Sequence, residues 1–358
     1  MPRKSNQSIL GSLLEEIEEE EGEFEYEEKE PKEIDWASYD QAQINEMNDM
    51  LNMIRDLVEQ AVENLGIKEK HEEKLKKPGR PPTFPGDLAK TVLMQQYLQT
   101  ANRPTAGSVL LFKEKMSFSE GFSYKTVERA YDNPDVKDIL EEIDRLVQKP
   151  IKEKETEFTT DGTGLPTSIK YNYEEEKYGS GEDGDCNMDQ FEQAIITGGY
   201  EYKMIADFII TDNPNAGEDP YLKKSVKNVS QIYTSIDIWT GDAAYLSRDN
   251  TSAIGDVGAV PRIYPKKNDT FRAKGSPEWK QMHYDFIENT QKWLEDYHKR
   301  SISETINSAF LRMYPKPLTR RLRSRRKVEG HTRKCGYNIK RLVHLQYLED
   351  IKIEFGPT

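Results

Sequence analysis

The sequence predicts an α/β fold, with a mixed sheet flanked by helices and an all-helical region before it. Strand-like apolar runs occur in the central part of the chain at residues 155–160, 202–211, 232–239 and 258–264. Helical apolar spacing dominates the preceding part, from Pro85 to about Gln148. Because ligands bind at strand ends in α/β layer folds, the residues that close these runs are the candidates for chemistry.

Residues 1–40 form an acidic leader with 14 acidic against 4 basic residues, which gives a charge of −10. Low-complexity acidic composition predicts disorder. In residues 41–77 the apolar side chains recur at alternating steps of three and four before Gly66. This seam predicts an amphipathic helix, either a short coiled coil or a helix packed on the core. We favour the core helix because three heptads are marginal alone.

A stiff basic linker at 76–82 opens the third segment, residues 78–150. Within it, Gly79-Arg80-Pro81 resembles the AT-hook, which lays an arginine into the narrow minor groove of A·T-rich DNA. A plain interdomain linker is the favoured alternative, because only one copy is present. On the AT-hook interpretation, Arg80 is a candidate DNA contact.

A short helix is predicted between Ser123 and Asn133, inside the helical part of residues 78–150. It has the position expected for the reading helix of a helix-turn-helix, and Lys125 and Arg129 would then contact DNA. A small helical bundle without groove contacts fits nearly as well. We expect residues 78–150 to form a helical DNA-binding region.

The segment 151–314 carries two aspartates where predicted strands end. Asp161 follows the extended run 157–160 and precedes a glycine-rich turn. Asp242 follows the run 232–239 and comes directly after a glycine. Glycines beside an acid at the end of an apolar run favour a strand that opens into a turn. Both carboxylates are therefore expected at strand ends, where they could hold a hard divalent cation.

The last helix of this segment is predicted to begin at Ser276-Pro277 and to end at Pro315. On it, Tyr297, Arg300 and Glu304 are spaced by three and then four residues, so they are expected on one face. A glutamate that holds a cation, a guanidinium that clamps a phosphate and a nearby phenol suit a phosphodiester substrate. The alternative is a surface ion pair next to a tyrosine of the apolar stripe.

The net charge is −13, yet residues 312–341 hold 12 basic residues against the single acid Glu329. Such a block is the electrostatic footprint of phosphate binding. Because arginines dominate and the block follows the Glu304 helix, we favour DNA binding over a solvated helix face or a flexible loop. Residues 315–358 are predicted to form a basic C-terminal segment with a closing helix. The candidate DNA contacts here are Arg312, Lys316, Arg320, Arg321 and Arg323.

Composition argues against several other classes of protein. Hydrophobic residues make up 35% of the chain, and no apolar run reaches membrane-spanning length. No signal-peptide pattern opens the sequence, so the cytoplasm is the expected compartment and no membrane partner is expected. Cys186 and Cys335 lack ligand spacing, which argues against a disulfide framework and a zinc site. The sequence has no Walker loop, dinucleotide fingerprint or nucleophile elbow.

The motif Tyr297-x2-Arg300-x3-Glu304 resembles the Tyr-Arg-Glu-Lys signature of DDE transposases encoded by bacterial and archaeal insertion sequences. Four further stretches resemble blocks of that family in the right order: 160–164 and 241–250 around its two aspartates, 260–267 at the strand that follows, and 336–341 at its closing helix. The likeness covers about residues 78–348.

The sequence departs from this pattern in two places. The final lysine of the signature would fall at Leu311, with Arg312 beside it to supply the charge one position on. The stretch 174–189 is unusually acidic for a protein that brings DNA to its active site. In the family pattern Tyr297, Arg300 and Arg312 would hold phosphates.

The resemblance implies a DNA transposase with a ribonuclease-H-like catalytic domain. Asp161, Asp242 and Glu304 would hold two Mg²⁺ or Mn²⁺ ions, cut the transposon end and join its 3′-hydroxyl to target DNA. Residues 80–148 would recognise the terminal repeats. Joining two ends at once implies a homodimer on DNA, in a nucleoid-associated complex. A catalytically silent or domesticated DNA-binding relative and a ribonuclease-H-type nuclease without strand transfer are the alternatives.

Overall fold

The structure, a computed structural model, describes residues 5–19, 33, 35–167, 191–213 and 217–351. The chain divides into two compact units. The first, called the sheet unit, comprises Met1–Glu33, Lys152–Gly164 and Glu192–Ser308. The second, called the helical unit, comprises Ile34–Ile151, Leu165–Phe191 and Ala309–Thr358. The N-terminal helices and the C-terminal residues, which the sequence predicts as separate segments, thus belong to one unit.

The helices of the described residues are, in chain order, α1 (Asn6–Glu19), α2 (Trp36–Asn64), α3 (Ile67–Leu75), α4 (Pro85–Leu98), α5 (Asn102–Leu111), α6 (Tyr124–Ala130), α7 (Pro134–Gln148), α8 (Asp219–Ser230), α9 (Arg248–Asp256), α10 (Pro277–Glu288), α11 (Thr290–His298), α12 (Ser301–Met313) and α13 (Arg323–Leu348). The strands are β1 (Glu157–Pro166), β2 (Phe191–Gly199), β3 (Ile205–Ile210), β4 (Ile238–Gly241) and β5 (Val260–Ile263). Within the described ranges, no helix has the length and apolar character needed to cross a lipid bilayer.

The five strands form one mixed sheet in the order β3-β2-β1-β4-β5. Strand β1 pairs in parallel with β4, and β4 pairs in parallel with β5, whereas β2 and β3 are antiparallel. Helices flank this sheet: α8 packs on β3, α10 on β5, and α11 on both β4 and β5. The predicted α/β class, a mixed sheet flanked by helices, is therefore confirmed.

Four strands overlap the four predicted runs, but β2 was missed. All nine of its residues are buried, although the strand begins with the polar pair Glu192 and Gln193 after Phe191 and ends in two glycines. A strand that is buried along its whole length loses the alternation that marks a half-exposed strand. The apolar pattern alone therefore could not identify this strand.

A chain of buried hydrogen bonds crosses the sheet unit where β1 and β4 end their pairing. The Trp239 indole N–H donates to Thr160 Oγ1 at 3.0 Å. Thr160 and Thr197 share a hydroxyl–hydroxyl bond of 2.8 Å, and Thr197 and Ser225 share another of 2.6 Å. All four side chains are buried, so water does not compete for these bonds. The chain ties β4, β1, β2 and α8 to one another.

The prediction of a single long helix after Ser276 is wrong. The structure has three helices there, α10 to α12. Its start is as predicted: Ser276 caps the helix with its hydroxyl, and Pro277 is the first helical residue. The helix breaks at Asn289, whose backbone leaves the helical region with φ −146° and ψ 61°. It breaks again near Arg300, where the N–H groups of Arg300 and Ser303 bond only three residues back.

The leader was predicted to be disordered, but Asn6–Glu19 is helical. Leu10 and Leu14 are buried, and α1 packs on α10, where Asn6 Nδ2 donates to Tyr284 Oη at 2.9 Å. Acidic composition hid this pair of leucines four residues apart. The rest of the predicted leader up to position 32, and the acidic stretch 174–189, lie outside the described residues.

The helical unit is built from α2 to α7 together with α13, which packs on α2, α4 and α7. The predicted apolar seam of α2 is buried in its second half, from Met50 to Val62. In its first half, Ile44 is 75% and Met47 is 50% exposed. The favoured core helix is thus correct for the second half of the seam, and the closing helix α13 is a central element of this unit.

Helix α13 buries one carboxylate, Glu329, that organises the segment before it. Its oxygens accept from the backbone N–H groups of Thr319 and Arg320 at 2.9 and 3.1 Å, and from the Arg333 guanidinium at 3.0 Å. Arg333 also donates to the carbonyl oxygen of Lys316 at 2.8 Å. A buried charge is tolerated only when its hydrogen-bonding capacity is used in this way.

Replacing Glu329 with Ala is expected to lower the free energy of unfolding by about 3–5 kcal/mol, the usual cost of removing one member of a buried ion pair. The substitution leaves the buried Arg333 charge without its carboxylate partner and removes the acceptor of the Thr319 and Arg320 backbone N–H groups. Urea unfolding followed by circular dichroism measures the loss. Arg145→Ala is the control, because Arg145 is 61% exposed in its pair with Glu142, and such pairs contribute about 1 kcal/mol or less. Equal losses in both variants would contradict the role of Glu329.

Candidate active site

Two aspartates lie beside each other on adjacent parallel strands. The register pairs Thr160 of β1 with Gly241 of β4, so Asp161 and Asp242 are the next residues along the two chains. Neighbouring strands in a sheet are about 4.8 Å apart. Asp242 follows the end of β4 as predicted, whereas β1 continues past Asp161. Asp161 therefore marks the end of the β1–β4 pairing rather than the end of its strand.

Local backbone groups orient both carboxylates. Asp161 Oδ1 accepts from the N–H of Gly162 at 3.0 Å. Asp242 Oδ1 accepts from the N–H of Ala244 at 2.8 Å and so caps a short 3₁₀ turn. These backbone contacts hold each side chain near its own strand, and the register brings the two together.

The predicted Tyr-Arg-Glu motif is split by the helix break, so its residues do not share one helix face. Tyr297 lies on α11 and Glu304 on α12. Arg300 still joins them, with Nη2 3.4 Å from Glu304 Oε1 and the guanidinium carbon 6.0 Å from the centre of the Tyr297 ring. One turn after Glu304, Asn307 Nδ2 donates to Asp161 Oδ2 at 3.2 Å. This bond ties the helix of Glu304 to Asp161.

Asp161 lies among charged neighbours. The pKa of its carboxyl is raised from 3.8 to about 6, mainly by burial. Arg300 acts in the opposite direction, and the negative charges of Asp242 and Glu218 add to the increase. Carboxylates that are destabilised by burial and by like charges are typical of functional sites. The charges of three side chains, Arg300, Asp242 and Glu218, thus act together on Asp161.

Tyr297 belongs to an aromatic cluster at this site. Its ring stacks on Trp293, with ring centres 5.3 Å and planes 19° apart, and meets Tyr264 at 5.2 Å. Burial raises the pKa of its phenol, Arg300 lowers it, and Asp242 raises it further. Tyr297 is therefore part of the apolar stripe, as the alternative interpretation predicted, and is also within the electrostatic reach of the acids.

Four residues near the acids were not singled out from the sequence: Gln193, Glu218, Tyr245 and Asn307. The atoms Gln193 Oε1, Asn307 Oδ1 and Tyr245 Oη are buried and have no hydrogen bond of good geometry. Burial, followed by the charge of Glu218, raises the pKa of the Tyr245 phenol well above its usual value. Tyr245 lies in the stretch 241–250 that carries the resemblance, whereas Gln193 and Glu218 come from elements with no motif.

The three predicted metal ligands are brought to one region but do not form a ready metal site. Within the described ranges, no group of three or more His, Cys, Asp or Glu side chains is arranged to hold a metal ion. Glu304 is turned towards Arg300, and its side chain is 67% exposed. To bind a cation together with Asp161 and Asp242, Glu304 would have to turn away from Arg300.

The predicted DNA contacts differ in their accessibility. The exposed members are Arg80, Lys125, Arg129, Arg312, Lys316 and Arg321, and Arg323 is half-buried. Arg320 is buried, with its guanidinium bonded to Asn102 and Gln95 and stacked 4.0 Å from the Tyr131 ring centre. A guanidinium enclosed in this way has no surface for a phosphate, so Arg320 is not proposed as a DNA contact.

Helix α6 matches the predicted short helix, and Lys125 and Arg129 lie one turn apart on it. Residues 112–123 separate α6 from α5. This connection is longer than the three or four residues of a helix-turn-helix. The exposed basic face of α6 is thus real, but its connection to α5 differs from that motif.

Much of the basic block is paired inside the helical unit. Arg325 contacts Asp132 at 2.6 Å and Glu128 at 2.7 Å. Lys334 pairs with Asp144, and Lys340 pairs with Glu46 at 2.8 Å. These cations neutralise acids of α2, α6, α7 and the turn between α6 and α7. Fewer basic side chains are therefore left to contact DNA than the sequence of the block indicates.

No protein-family model and no curated protein matches the chain. The likeness to DDE transposases therefore rests on the sequence motifs.

Asp161→Asn is expected to stabilise the protein at pH 7.5 in EDTA. The folded pKa of about 6 lies above the reference value of 3.8, so stability falls as pH rises through this interval and the full cost is present above pH 6. Two pKa units correspond to about 3 kcal/mol, and partial exposure reduces the expected gain to about 1–2 kcal/mol. Urea unfolding measures the gain, which should shrink to about a third at pH 4.5.

The control for this experiment is Asp256→Asn, an exposed aspartate of the same unit. Its effect on the free energy of unfolding should be small at both pH values. A destabilised Asp161→Asn variant at pH 7.5 would show that the surroundings stabilise the ionised carboxylate, which is the opposite of what burial and the neighbouring acids predict.

Proposed function

We propose that this chain is a DNA transposase whose sheet unit, with a ribonuclease-H-like fold, cuts and joins DNA with divalent cations. The observation that carries the proposal is the register of β1 and β4, which sets Asp161 beside Asp242. The contact of Asn307 with Asp161 supports it, because it brings the helix of Glu304 to the same region. Carboxylates from two adjacent strands and one helix form the donor set of the proposed site.

The side chains suit Mg²⁺ or Mn²⁺, which take oxygen ligands. A positive charge between Asp161 and Asp242 would offset the repulsion that contributes to the raised pKa of Asp161. Coordinated water would also supply the donors that the buried amide oxygens of Gln193 and Asn307 lack. When bound, two such ions activate the attacking hydroxyl and stabilise the leaving oxygen of an in-line displacement.

Arg300 is the residue that we assign to the DNA phosphate. Its bond to Glu304, at 3.4 Å, is long for a charge-assisted hydrogen bond. A phosphate would use two guanidinium donors at once and would free Glu304 to turn towards Asp161. Tyr297 packs beside Arg300 on a rigid aromatic cluster and limits where the guanidinium can move.

The helical unit is proposed to recognise the ends of the element. Lys125 and Arg129 are exposed on α6, and the Arg103 guanidinium lies 4.7 Å from the ring centre of the neighbouring Tyr124. An exposed basic face of this kind binds DNA by neutralising phosphates. The further phosphate contacts proposed are Arg80, Arg312, Lys316, Arg321 and Arg323. Joining two ends requires two sites, so a homodimer on nucleoid DNA is part of the proposal.

One observation favours a second candidate, a catalytically silent DNA-binding relative. Glu304 pairs with Arg300, and no group of three metal-binding side chains stands ready in the described residues. If that arrangement persists on DNA, the helical unit would bind without cleavage. A nuclease without strand transfer would share the same acids and differ only in its products.

Cleavage of duplexes that carry the sequence flanking the coding region tests the proposal. The wild type should cut them in Mg²⁺, and Asp161→Asn, Asp242→Asn and Glu304→Gln should each slow cleavage by about a hundredfold or more while keeping DNA affinity. Each substitution removes one carboxylate charge at nearly constant size. Denaturing gels measure nicks and joined products, and mobility shifts measure binding.

The matched control is Glu295→Gln, which changes a glutamate of α11 that is 40% exposed in its pair with Lys292 and should cut at the wild-type rate. If Glu304→Gln cuts as fast as the wild type, the site assignment is wrong. Cutting without joined products would indicate a nuclease, and binding without cutting would indicate the silent relative.

The double variant Lys125→Ala, Arg129→Ala should weaken DNA binding and reduce the dependence of log K on log salt concentration by about one for each phosphate that the protein no longer neutralises. Fluorescence anisotropy between low and moderate salt measures both quantities. The control replaces Lys113 and Lys149, two exposed lysines of the same unit outside α6, with Ala. Equal changes in the two double variants would mean that α6 has no special role.

A further inference from the structure

Glu218, the residue immediately before α8, does not cap the helix that it precedes. Its side chain is directed to the sheet instead, where Oε1 accepts from Gln193 Nε2 of β2 at 3.0 Å. The neighbouring Asp219 instead anchors the start of α8 to Asn250. Its carbonyl and carboxylate oxygens both accept from Asn250 Nδ2 at 3.0 Å. Two adjacent acids thus have different roles, and only Glu218 faces the sheet.

The carboxylate of Glu218 lies against the backbone of Gly162, the residue after Asp161. A Cβ atom on residue 162 would stand only 2.6 Å from the carboxyl carbon of Glu218, a separation that real Cβ atoms essentially never show. Glycine is therefore what permits a third carboxylate this close to Asp161. In the sequence, Gly162 predicts a turn, whereas in the fold it leaves space for a side chain from another element.

The start of α8 is held firmly relative to β1. Ser225 of α8 is bonded to Thr197 of β2, which is bonded to Thr160, the residue before Asp161. Asn250 fixes Asp219 from the other side. Glu218 is therefore carried by a helix end whose position is set by buried hydrogen bonds.

Two buried polar atoms next to Glu218 point to a ligand. Gln193 donates to Glu218, yet its own Oε1 is buried without a donor. The Tyr245 side chain is fully buried, and its hydroxyl makes only a poorly aligned hydrogen bond with Glu218. Buried polar groups of native proteins are nearly always satisfied, so such atoms beside several carboxylates indicate a bound partner.

We propose that Glu218 is a further carboxylate ligand of the divalent cation held by Asp161 and Asp242, an inference that rests on the proposed function. Like charges repel, and in the part of the chain that the structure describes these carboxylates do not form a ready metal group. A hard cation draws oxygen ligands together, and its hydration shell serves Gln193 and Tyr245. Glu218 completes a set of three acids that does not require Glu304, which Arg300 holds.

Titration of the full chain with Mn²⁺, followed by the electron paramagnetic resonance signal of free Mn²⁺, tests this assignment without DNA. Glu218→Gln should weaken Mn²⁺ binding by about tenfold or more, since even outer-shell partners of metal sites contribute 10–100-fold. Gly162→Ala should weaken it too, because the added methyl group displaces Glu218 while leaving its charge. Glu278→Gln is the matched control, since Glu278 also packs against a glycine, Gly255, in the same unit, and it should bind as the wild type does.

Wild-type affinity in Glu218→Gln, or no Mn²⁺ binding by the wild type, would overturn the inference. If Glu218→Gln fails to fold by circular dichroism, Glu218→Asp decides the matter: it keeps the charge and shortens the side chain, so binding should be weakened, and unchanged binding counts against Glu218. Mn²⁺ binding that needs Glu218 in a protein that never cuts DNA would sustain this inference while refuting the transposase.

Discussion

The parallel pairing of β1 with β4 is the constraint on which the site depends. Two aspartates that are 81 positions apart in the sequence become neighbours because Thr160 faces Gly241 in the sheet. A shift of one residue in this register would send one carboxylate to the opposite face. Asn307 and Glu218 then approach a pair of acids whose separation is already set by the backbone. The sheet thus sets the positions of the two aspartates, and side chains from helices add to the site that these two form.

Charge is handled differently in the two units. In the sheet unit, burial and the charges of Asp242 and Glu218 disfavour the ionised form of Asp161, and Arg300 offsets them only in part. In the helical unit several charges are matched, as in the bond between Glu329 and Arg333 and the contacts of Arg325 with its two acids. Matched buried pairs specify a fold with little net gain, whereas unmatched acids favour a cationic partner.

The sequence predicted the fold class, the strand-end position of Asp242 and the capped start at Ser276, because each depends on residues close together in the chain. It missed the break at Arg300, although the apolar step from Tyr297 to Ile302 is five residues where the neighbouring steps are four. It also missed Glu218, which joins the site only through the packing of α8. The basic C-terminal block was overestimated as a DNA surface because its acidic partners come from α2, α6, α7 and the turn between α6 and α7.

The hydroxyl chain behind the acids has a direction. An indole N–H only donates, so Thr160 Oγ1 accepts a hydrogen bond from Trp239. Thr160 can satisfy its own hydroxyl by donating to Thr197, which can in turn donate to Ser225. The O–H dipoles then align head to tail and polarise one another. The sheet interior beside the carboxylates therefore has a built-in polarity, with its sense imposed by a single tryptophan. Replacing Thr197 with valine, which has nearly the same shape, would interrupt that ordering.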